Sequence, residues 1–431
     1  MQRTDVVVIG GGLAGLAAAA YVARDGRSVV LLEKAAAPGG RAQTTAVGDF
    51  RFNLGPHALY RRGAGEQVLT ALGVPVRGGA PRVSGSYAVA RGAAHALPGG
   101  LLSLLTTGLF GLPAKLETAR LLGGLARMDG APLQRLSVRE WLARDVHQPA
   151  VRQLLAAFVR LTSYSADHER MSAGAALRQV QAGVGAGVNY LDAGWQGLID
   201  GLRAVLTAAG GRVLIGARAD AVCAADGAWQ VRLGGGETLV AAAVVIAAGP
   251  DTAATLLDGA TGATARGWQQ AATPVRAACL DLGLTRLPRP RALFALGVDR
   301  PLYLSVHSAA AADLAPSGAA MVHVLKYLDG DGSDARADEH ELERLLDLIQ
   351  PGWRACVAAR RFLPNMLVAH ALPAAAAGGL AGRPGPAVPG ADGVYVAGDW
   401  VGGEGLLADA SLASARQAAA LIAARRSAAA A

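Results

Sequence analysis

The run Gly10-Gly11-Gly12-Leu13-Ala14-Gly15 constrains this chain most. It lies between an apolar segment, Asp5 to Ile9, and an alanine-rich stretch reaching about Arg24. The segment reads as a strand buried on both faces and the stretch as a helix. At such a junction, Gly10-x-Gly12-x-x-Gly15 is a dinucleotide fingerprint. Gly10 makes the tight turn, Gly12 lets backbone approach a pyrophosphate, and Gly15 lets the helix pack close to the sheet. Leu13 and Ala14 open that helix, where free N–H groups and partial positive charge favour phosphate. A second strand, Ser28 to Leu32, ends at Glu33, placed to accept hydrogen bonds from a ribose diol and to repel a 2′-phosphate.

The chain has 431 residues, too many for one small core, so more than one unit is expected. It is 52% hydrophobic and 17% charged, which excludes a disordered chain. Aromatics make up only 5%, so the core rests on small side chains and close backbone contacts. The net charge of +8 comes almost wholly from arginine, since Lys34, Lys115 and Lys326 are the only lysines. No basic stripe is interleaved with aromatics, which excludes nucleic acid as a partner and leaves attraction to anionic lipid open. Cys223, Cys279 and Cys356 are far apart without a CxxC pair, so neither a metal site nor a disulfide framework is expected. The first strand begins almost at once, and no run of eighteen apolar residues free of charges and helix breakers stands out. A cytoplasmic location is the expectation.

Beyond Glu33 come Lys34, Pro38 and Gly39-Gly40-Arg41. This extension resembles the FAD-binding amine oxidase and phytoene desaturase superfamily, in which Glu-Lys and Gly-Gly-Arg follow the second strand. The resemblance implies an α/β architecture: a Rossmann-like FAD-binding domain with an inserted α+β substrate domain. It implies that Gly39 and Gly40 pass close to FAD and that Arg41 contacts the diphosphate, where a fork of donors suits paired oxygens. Two later segments support it. Leu191 to Leu198 opens a helix, Gly210-Gly211 leads into the strand Arg212 to Ile215, and Ala219 falls where backbone meets the adenine. An apolar run then ends at Ala248-Gly249-Pro250. Gly393 to Trp400 and the glycine-rich turn to Gly405, Leu406 and Leu407 form another strand, turn and helix start. There the resemblance gives Gly398 and Asp399 to the ribityl or phosphate region and the helix start to the flavin pyrimidine end. No cysteine lies near 399–405, so noncovalent FAD is implied. The FAD-binding domain is assembled from 1–75, 190–260 and 385–431, and the substrate domain from 76–189 and 261–384.

The stretch with Gly55, Pro56 and His57 corresponds to family backbone passing near the isoalloxazine. His57 either orients substrate or shuttles a proton, or it is a structural histidine capping a loop. Arg276 aligns with the lysine that many amine oxidases use to hold a water at flavin N5. It either clamps an acidic substrate or supports anionic reduced flavin, or it faces solvent from a strand edge. Trp400 is nominated to border the substrate pocket. The apolar stretch Leu97 to Leu125 reads either as a membrane-touching dip or as a helix pair lining the substrate cavity. Ser137-x-x-Glu140 reads as a capping box, the Arg160 to Arg170 segment as a polar loop or pocket rim, and Gly330 to Glu341 and Gly378 to Gly393 as surface connections.

The expected function is FAD-dependent oxidation of an apolar small molecule, forming a C=C bond by hydride transfer to flavin N5. The carotenoid-desaturase C-terminal pattern is incomplete here. Oxidation of an amine or a porphyrinogen-type ring is the alternative. A non-catalytic binding protein on the same architecture, as in the Rab GDP-dissociation inhibitors, is a third reading. A nicotinamide-linked reductase ranks last, because no second dinucleotide fingerprint follows another strand.

Overall fold

The computed structural model describes residues 2–82, 85–225, 227–330 and 333–430. The N-terminal valines form β1 (Gln2–Ile9), followed by helix α1 (Leu13–Arg24) and β2 (Val29–Glu33). Val6, Val7 and Val8 are fully buried, as are Leu16 through Ala20. An alanine helix suits this place. It is sandwiched between the sheet, the Gln196–Ala208 helix and the last helix, Leu407–Ala430, and larger side chains would hold these layers apart.

The strands run in the order Arg212–Ile215, β2, β1, Thr238–Ile246, with Val394–Val396 on the far side of Thr238–Ile246. All four pairings are parallel, so every strand presents its C-terminal end at one edge. The strand order reverses at β1, and the crevice at such a reversal is where open α/β sheets bind ligands. The antiparallel strands Ala219–Ala225 and Ala228–Leu233 extend the sheet from the first half of Thr238–Ile246.

A second seven-stranded sheet has the order Val357–Ala369, Val275–Leu284, Ala320–Tyr327, Leu302–Val306, Phe294–Gly297, Ser86–Ala90, Ala93–Ala96. Alternation divides Val275–Leu284 between two environments. Ala278, Leu280, Leu282 and Leu284 pack with Leu342, Leu345 and Leu346 of the Ala335–Ile349 helix. Ala277 and Cys279 point the other way, toward Tyr303, Leu325 and Tyr327.

One region departs from the sequence expectation. Much of the acidic stretch Gly330 to Glu341 is helix rather than connection. The Asp334 carboxylate accepts from the N–H groups of Arg336 and Ala337 and starts the Ala335–Ile349 helix. Lys326 then ties the helix to the sheet through Asp338 (2.6 Å) and Glu341 (2.8 Å). Asp331 and Gly332 lie outside the described residues. The Leu97 to Leu125 stretch forms the helices Leu101–Thr106 and Leu112–Gly124, but Leu101, Leu102, Leu105, Leu112 and Leu116 are 61–76% exposed. These leucines form an outward apolar face, while Leu109, Phe110, Pro113 and Ala114 of the same stretch line a cavity. The capping box at Ser137 and Glu140 is present with both reciprocal bonds.

A Cβ added at Gly15 would lie 1.8 Å from the Gly10 carbonyl oxygen. Gly15→Ala is expected to lower stability by about 1–3 kcal/mol through forced separation of helix and turn. Gly123→Ala, in a helix with nothing within 4 Å of the added carbon, is expected to be neutral or stabilising. Melting temperatures of the two variants check this.

Candidate active site

The turn after β1 closes only with glycine. Gly10 has φ +110°, and a Cβ there would meet the Ala247 carbonyl oxygen at 2.4 Å. At Gly12 the added carbon would meet nothing within 4 Å, so its backbone borders open space. Gly12 is the N-cap of α1 and provides no side-chain cap, leaving the N–H groups of Leu13 and Ala14 directed at that space. Glu33 stands beside the turn. Its Oε2 accepts from Gly11 N–H and its Oε1 from Ala35 N–H, both at 2.8 Å. Each oxygen retains a lone pair for a further donor. The backbone of 216–219 adjoins this corner, with Ala217 N–H donating to the Glu33 carbonyl at 2.9 Å, and Ala219 begins its strand there. Lys34 is exposed.

Segments far apart in sequence meet at the next station. Gly39 (φ +140°) and Gly40 (φ +54°) fold Arg41 back across the strand ends. Arg41 Nη1 donates to Asp399 Oδ2 at 2.7 Å and to the Val368 carbonyl at 2.6 Å. His370 donates its backbone N–H to Asp399 Oδ2 (3.1 Å), and its Nδ1 lies 2.9 Å from Oδ1. Asp399 is 1% exposed. Burial alone would raise its carboxyl, but the Arg41 charge and the His370 contacts outweigh that and hold it well below the usual carboxylate range. Gly249 makes room for His370, since a Cβ there would lie 2.4 Å from the imidazole Cδ2.

Gly55 (φ +75°) brings the following loop against the second sheet, where a Cβ would meet Met366 Cε at 2.7 Å and Cys279 Sγ at 3.4 Å. His57 Nδ1 donates to the Gly55 carbonyl at 3.1 Å, so Nε2 carries the lone pair. Its ring packs edge-on against Trp195 at 5.0 Å. Burial pushes its pKa down to about 4, so it is neutral near pH 7. The carbonyl of Pro56 accepts from the Tyr164 hydroxyl at 3.0 Å. The segment expected as a polar loop is thus partly interior, with Ser163, Ser165 and Asp167 buried. At the last helix, Gly405 (φ +70°) and Leu407 (φ +55°) adopt left-handed backbone, and Leu406 is buried. The Gly398 N–H donates to Ser414 Oγ at 3.0 Å, fixing the turn before Asp399.

Two nominated residues stand elsewhere. Arg276 has the same strand parity as Ala278 and Leu280, so it faces away from Cys279, and its guanidinium reaches Asn365 on the neighbouring strand. It is not on the side of the strand that meets Gly55. Trp400 is 2% exposed, donates Nε1–H to the Ala248 carbonyl at 2.9 Å and packs on Trp268 at 5.6 Å. It belongs to the core beneath the first sheet, not to a substrate pocket.

Sequence reasoning missed His370 and Arg383. His370 lies outside every recognisable motif and reaches the site through the end of a strand of the second sheet. Arg383 Nη1 donates to the Gly405 carbonyl at 2.9 Å, and its Nε is buried without a partner. Burial depresses its guanidinium to about 10. No motif marks a lone arginine in a Gly/Pro-rich connection.

Residues 8–72 match the family model described as an NAD(P)-binding Rossmann-like domain. Over 56 residues the chain is 54% identical to carotenoid 3,4-desaturase of Haloarcula japonica, covering 13% of this chain and 11% of that protein. The chain therefore matches about a tenth of that relative's length. In structure it is similar to an oxidoreductase from Methanosarcina mazei (TM-score 0.76, 19% identity, 96% of this chain and 99% of that one). It is also similar to putrescine oxidase bound to putrescine (TM-score 0.73, 16% identity, 98% and 99%). The fold is therefore that of these solved structures, and the sequence likeness to the desaturase is confined to the N-terminal segment.

Two outcomes follow from these charges. His57 and His168 have pKa values lowered to about 4, by burial first, and His307 is lowered well below its ordinary value. Their neutral forms contribute stability that is complete above pH 6.5 and is lost as pH falls toward 4. Asp409 runs oppositely: burial raises it to about 6, so its ionised form opposes folding above pH 6 and is relieved as pH falls. Asp409→Asn is expected to stabilise by up to about 3 kcal/mol at pH 8 and by almost nothing at pH 4, measured by denaturant unfolding.

Proposed function

We propose that this chain is an FAD-dependent oxidoreductase that desaturates an apolar small molecule. The observation that carries the reading is the meeting of Arg41, Asp399 and His370 at the strand ends beside a turn that only glycine can close. The residues fit the cofactor. The open space at Gly12, the uncapped start of α1 and the carboxylate of Glu33 suit a pyrophosphate and a ribose. Arg383, a half-buried cation whose Nε is buried and unpartnered, suits an anionic group beside the start of the last helix.

In this reading, 1–75, 190–260 and 385–431 hold FAD noncovalently, and 76–189 with 261–384 shape the substrate space. Gly10, Gly12, Leu13, Ala14 and Gly15 cradle the pyrophosphate, and Arg41 and Asp399 fix the phosphate and ribityl region. Gly39, Gly40, Ala219, Gly249 and Gly398 allow close backbone approach, and Gly405 to Leu407 face the pyrimidine end. FAD, when bound, supplies a two-electron acceptor at N5. The His57 ring is held by its Nδ1–H on the Gly55 carbonyl. Met366, Tyr164 and Leu363 supply an apolar wall on the side of the second sheet. The identity to a carotenoid desaturase supports a desaturation reaction. Likeness over nearly the whole chain to putrescine oxidase favours amine oxidation as the second reading.

No helix among the described residues is long and apolar enough to cross a membrane. The exposed leucines 101, 102, 105, 112 and 116, with Lys115 among them, are proposed to rest on a lipid surface and collect the substrate.

The purified protein is expected to show a flavin absorption band and to bleach anaerobically with a polyisoprenoid, not with a secondary amine or a reduced tetrapyrrole. Bleaching by the amine selects the second reading, and no band even with added FAD overturns the assignment. Arg41→Met is expected to lower the flavin-to-protein absorbance ratio about tenfold, since Asp399 is left without its cationic partner. Replacing Leu101, Leu102 and Leu105 by Ser is expected to abolish sedimentation with anionic liposomes while leaving the flavin band intact.

A further inference from the structure

The strand Val357–Ala369 is an edge of the second sheet and carries more residues than its partner Val275–Leu284 needs. It pairs Leu363 with Cys279, Met366 with Ala277, Leu367 with Arg276 and Ala369 with Val275. Three steps from Leu363 to Met366 therefore match two of the partner, and two steps from Leu367 to Ala369 match one. Each surplus residue makes a bulge, which interrupts the ladder and re-aims the chain around it. Pro364, with no N–H to offer a ladder, lies in the first. Val368 lies in the second, and its carbonyl accepts from Arg41 Nη1 at 2.6 Å.

Both ends of the bulged stretch are pinned. At one end Arg361 donates to Asp281 Oδ2 from Nη2 at 2.6 Å and from Nε at 3.2 Å. Its Nη1 donates to Thr45 Oγ1 at 3.2 Å, and its Nη2 also reaches the Asn53 carbonyl. Asp281 is fully buried, and its Oδ1 accepts from His323 Nδ1 at 2.6 Å and from the Cys279 thiol at 3.0 Å. At the other end His370 follows the strand directly. Its backbone N–H donates to Asp399 Oδ2 at 3.1 Å, and its Nδ1 lies 2.9 Å from Oδ1. Arg41 Nη2 lies 3.2 Å from the same nitrogen, so the ring stands where the cation and the carboxylate of this clamp meet.

Between the pins, Leu363, Met366 and Val368 are half-buried and pack with Tyr164 and Tyr327. Apolar side chains left half covered in such a wall suit an apolar ligand. The same few residues thus serve two places. Their side chains form the wall, while the Val368 carbonyl and the two groups of His370 supply three contacts to the clamp of Arg41 and Asp399. The Arg361 end is fixed by a buried carboxylate with several partners, so a shift imposed on the wall is passed toward His370.

We propose that His370 is a positioning residue that couples ligand on the wall to the hold on the cofactor. This rests on the oxidoreductase reading above. An apolar molecule packed on Leu363, Met366 and Val368 orders residues 366–370, and His370 then sets Asp399 and Arg41 for the anionic groups of the cofactor. The bulged stretch is ordered once and serves both ligands, so each tightens the binding of the other by the same factor. His370 acts through Asp399.

The test uses pristane, a saturated isoprenoid hydrocarbon without polar groups, dispersed in detergent. Flavin release from the diluted holoprotein is followed by the recovery of flavin fluorescence. Pristane is expected to slow release from the wild type about tenfold. His370→Ala is expected to release flavin at one rate with or without pristane. His370→Asn, whose amide can still donate to Asp399, is expected to restore the difference. A pristane effect that persists in folded His370→Ala assigns the coupling to direct contact between the two ligands and overturns the proposal, as does its absence from the wild type. A second readout needs neither variant nor flavin. In ¹⁵N-histidine NMR of the purified wild type, pristane is expected to shift the His370 ring nitrogens, and unmoved resonances overturn the proposal even where His370→Ala fails to fold. If the wild type holds no flavin even with added FAD, the oxidoreductase reading fails, while the shift still decides whether the wall reports to His370.

Discussion

Close approach between α1 and the turn after β1 is the contact on which the molecule depends. With no side chain at Gly15, the helix lies directly on the Gly10 carbonyl, and the turn in turn lies on Ala247 of the neighbouring strand. That stacking levels the ends of β1 and Thr238–Ile246, so Glu33, Asp399 and the start of α1 come to one edge. A single methyl group would separate these layers, and the clamp between Arg41 and Asp399 depends on their separation.

The clamp itself does more than neutralise charge. Asp399 comes from the turn after the last sheet strand, Arg41 from the loop after β2, and His370 from the end of a strand in the other sheet. One buried carboxylate thereby joins both sheets. Since a buried carboxylate stripped of partners is costly, the alignment of the sheets and the electrostatics of the site are one property.

The first sheet was readable from residues because its signals are local. Glycines at fixed spacing, a carboxylate ending a strand and an alanine helix each act within a few residues. The second sheet resisted because its information is carried by strand parity. Arg276 and Cys279 are three positions apart, and only their place on one continuous strand shows that they face opposite ways. Trp400 misled for a related reason: adjacency to Asp399 in sequence put it on the far side of the same turn, in the core with Trp268. His370, Arg383 and the Asp281 group have no sequence signature, since each matters through partners more than twelve residues away.

The two-faced strand Val275–Leu284 has a further consequence for how such a chain can diverge. Ala278, Leu280, Leu282 and Leu284 form greasy core with the Ala335–Ile349 helix, whereas Ala277, Cys279 and Asp281 are turned to the opposite face. Drift at the first set alters how firmly the sheet holds its helix, and drift at the second alters the face turned toward Tyr303 and Tyr327. A lineage can therefore rework one face of the sheet by altering every other residue of one strand, with the intervening residues acting as ballast.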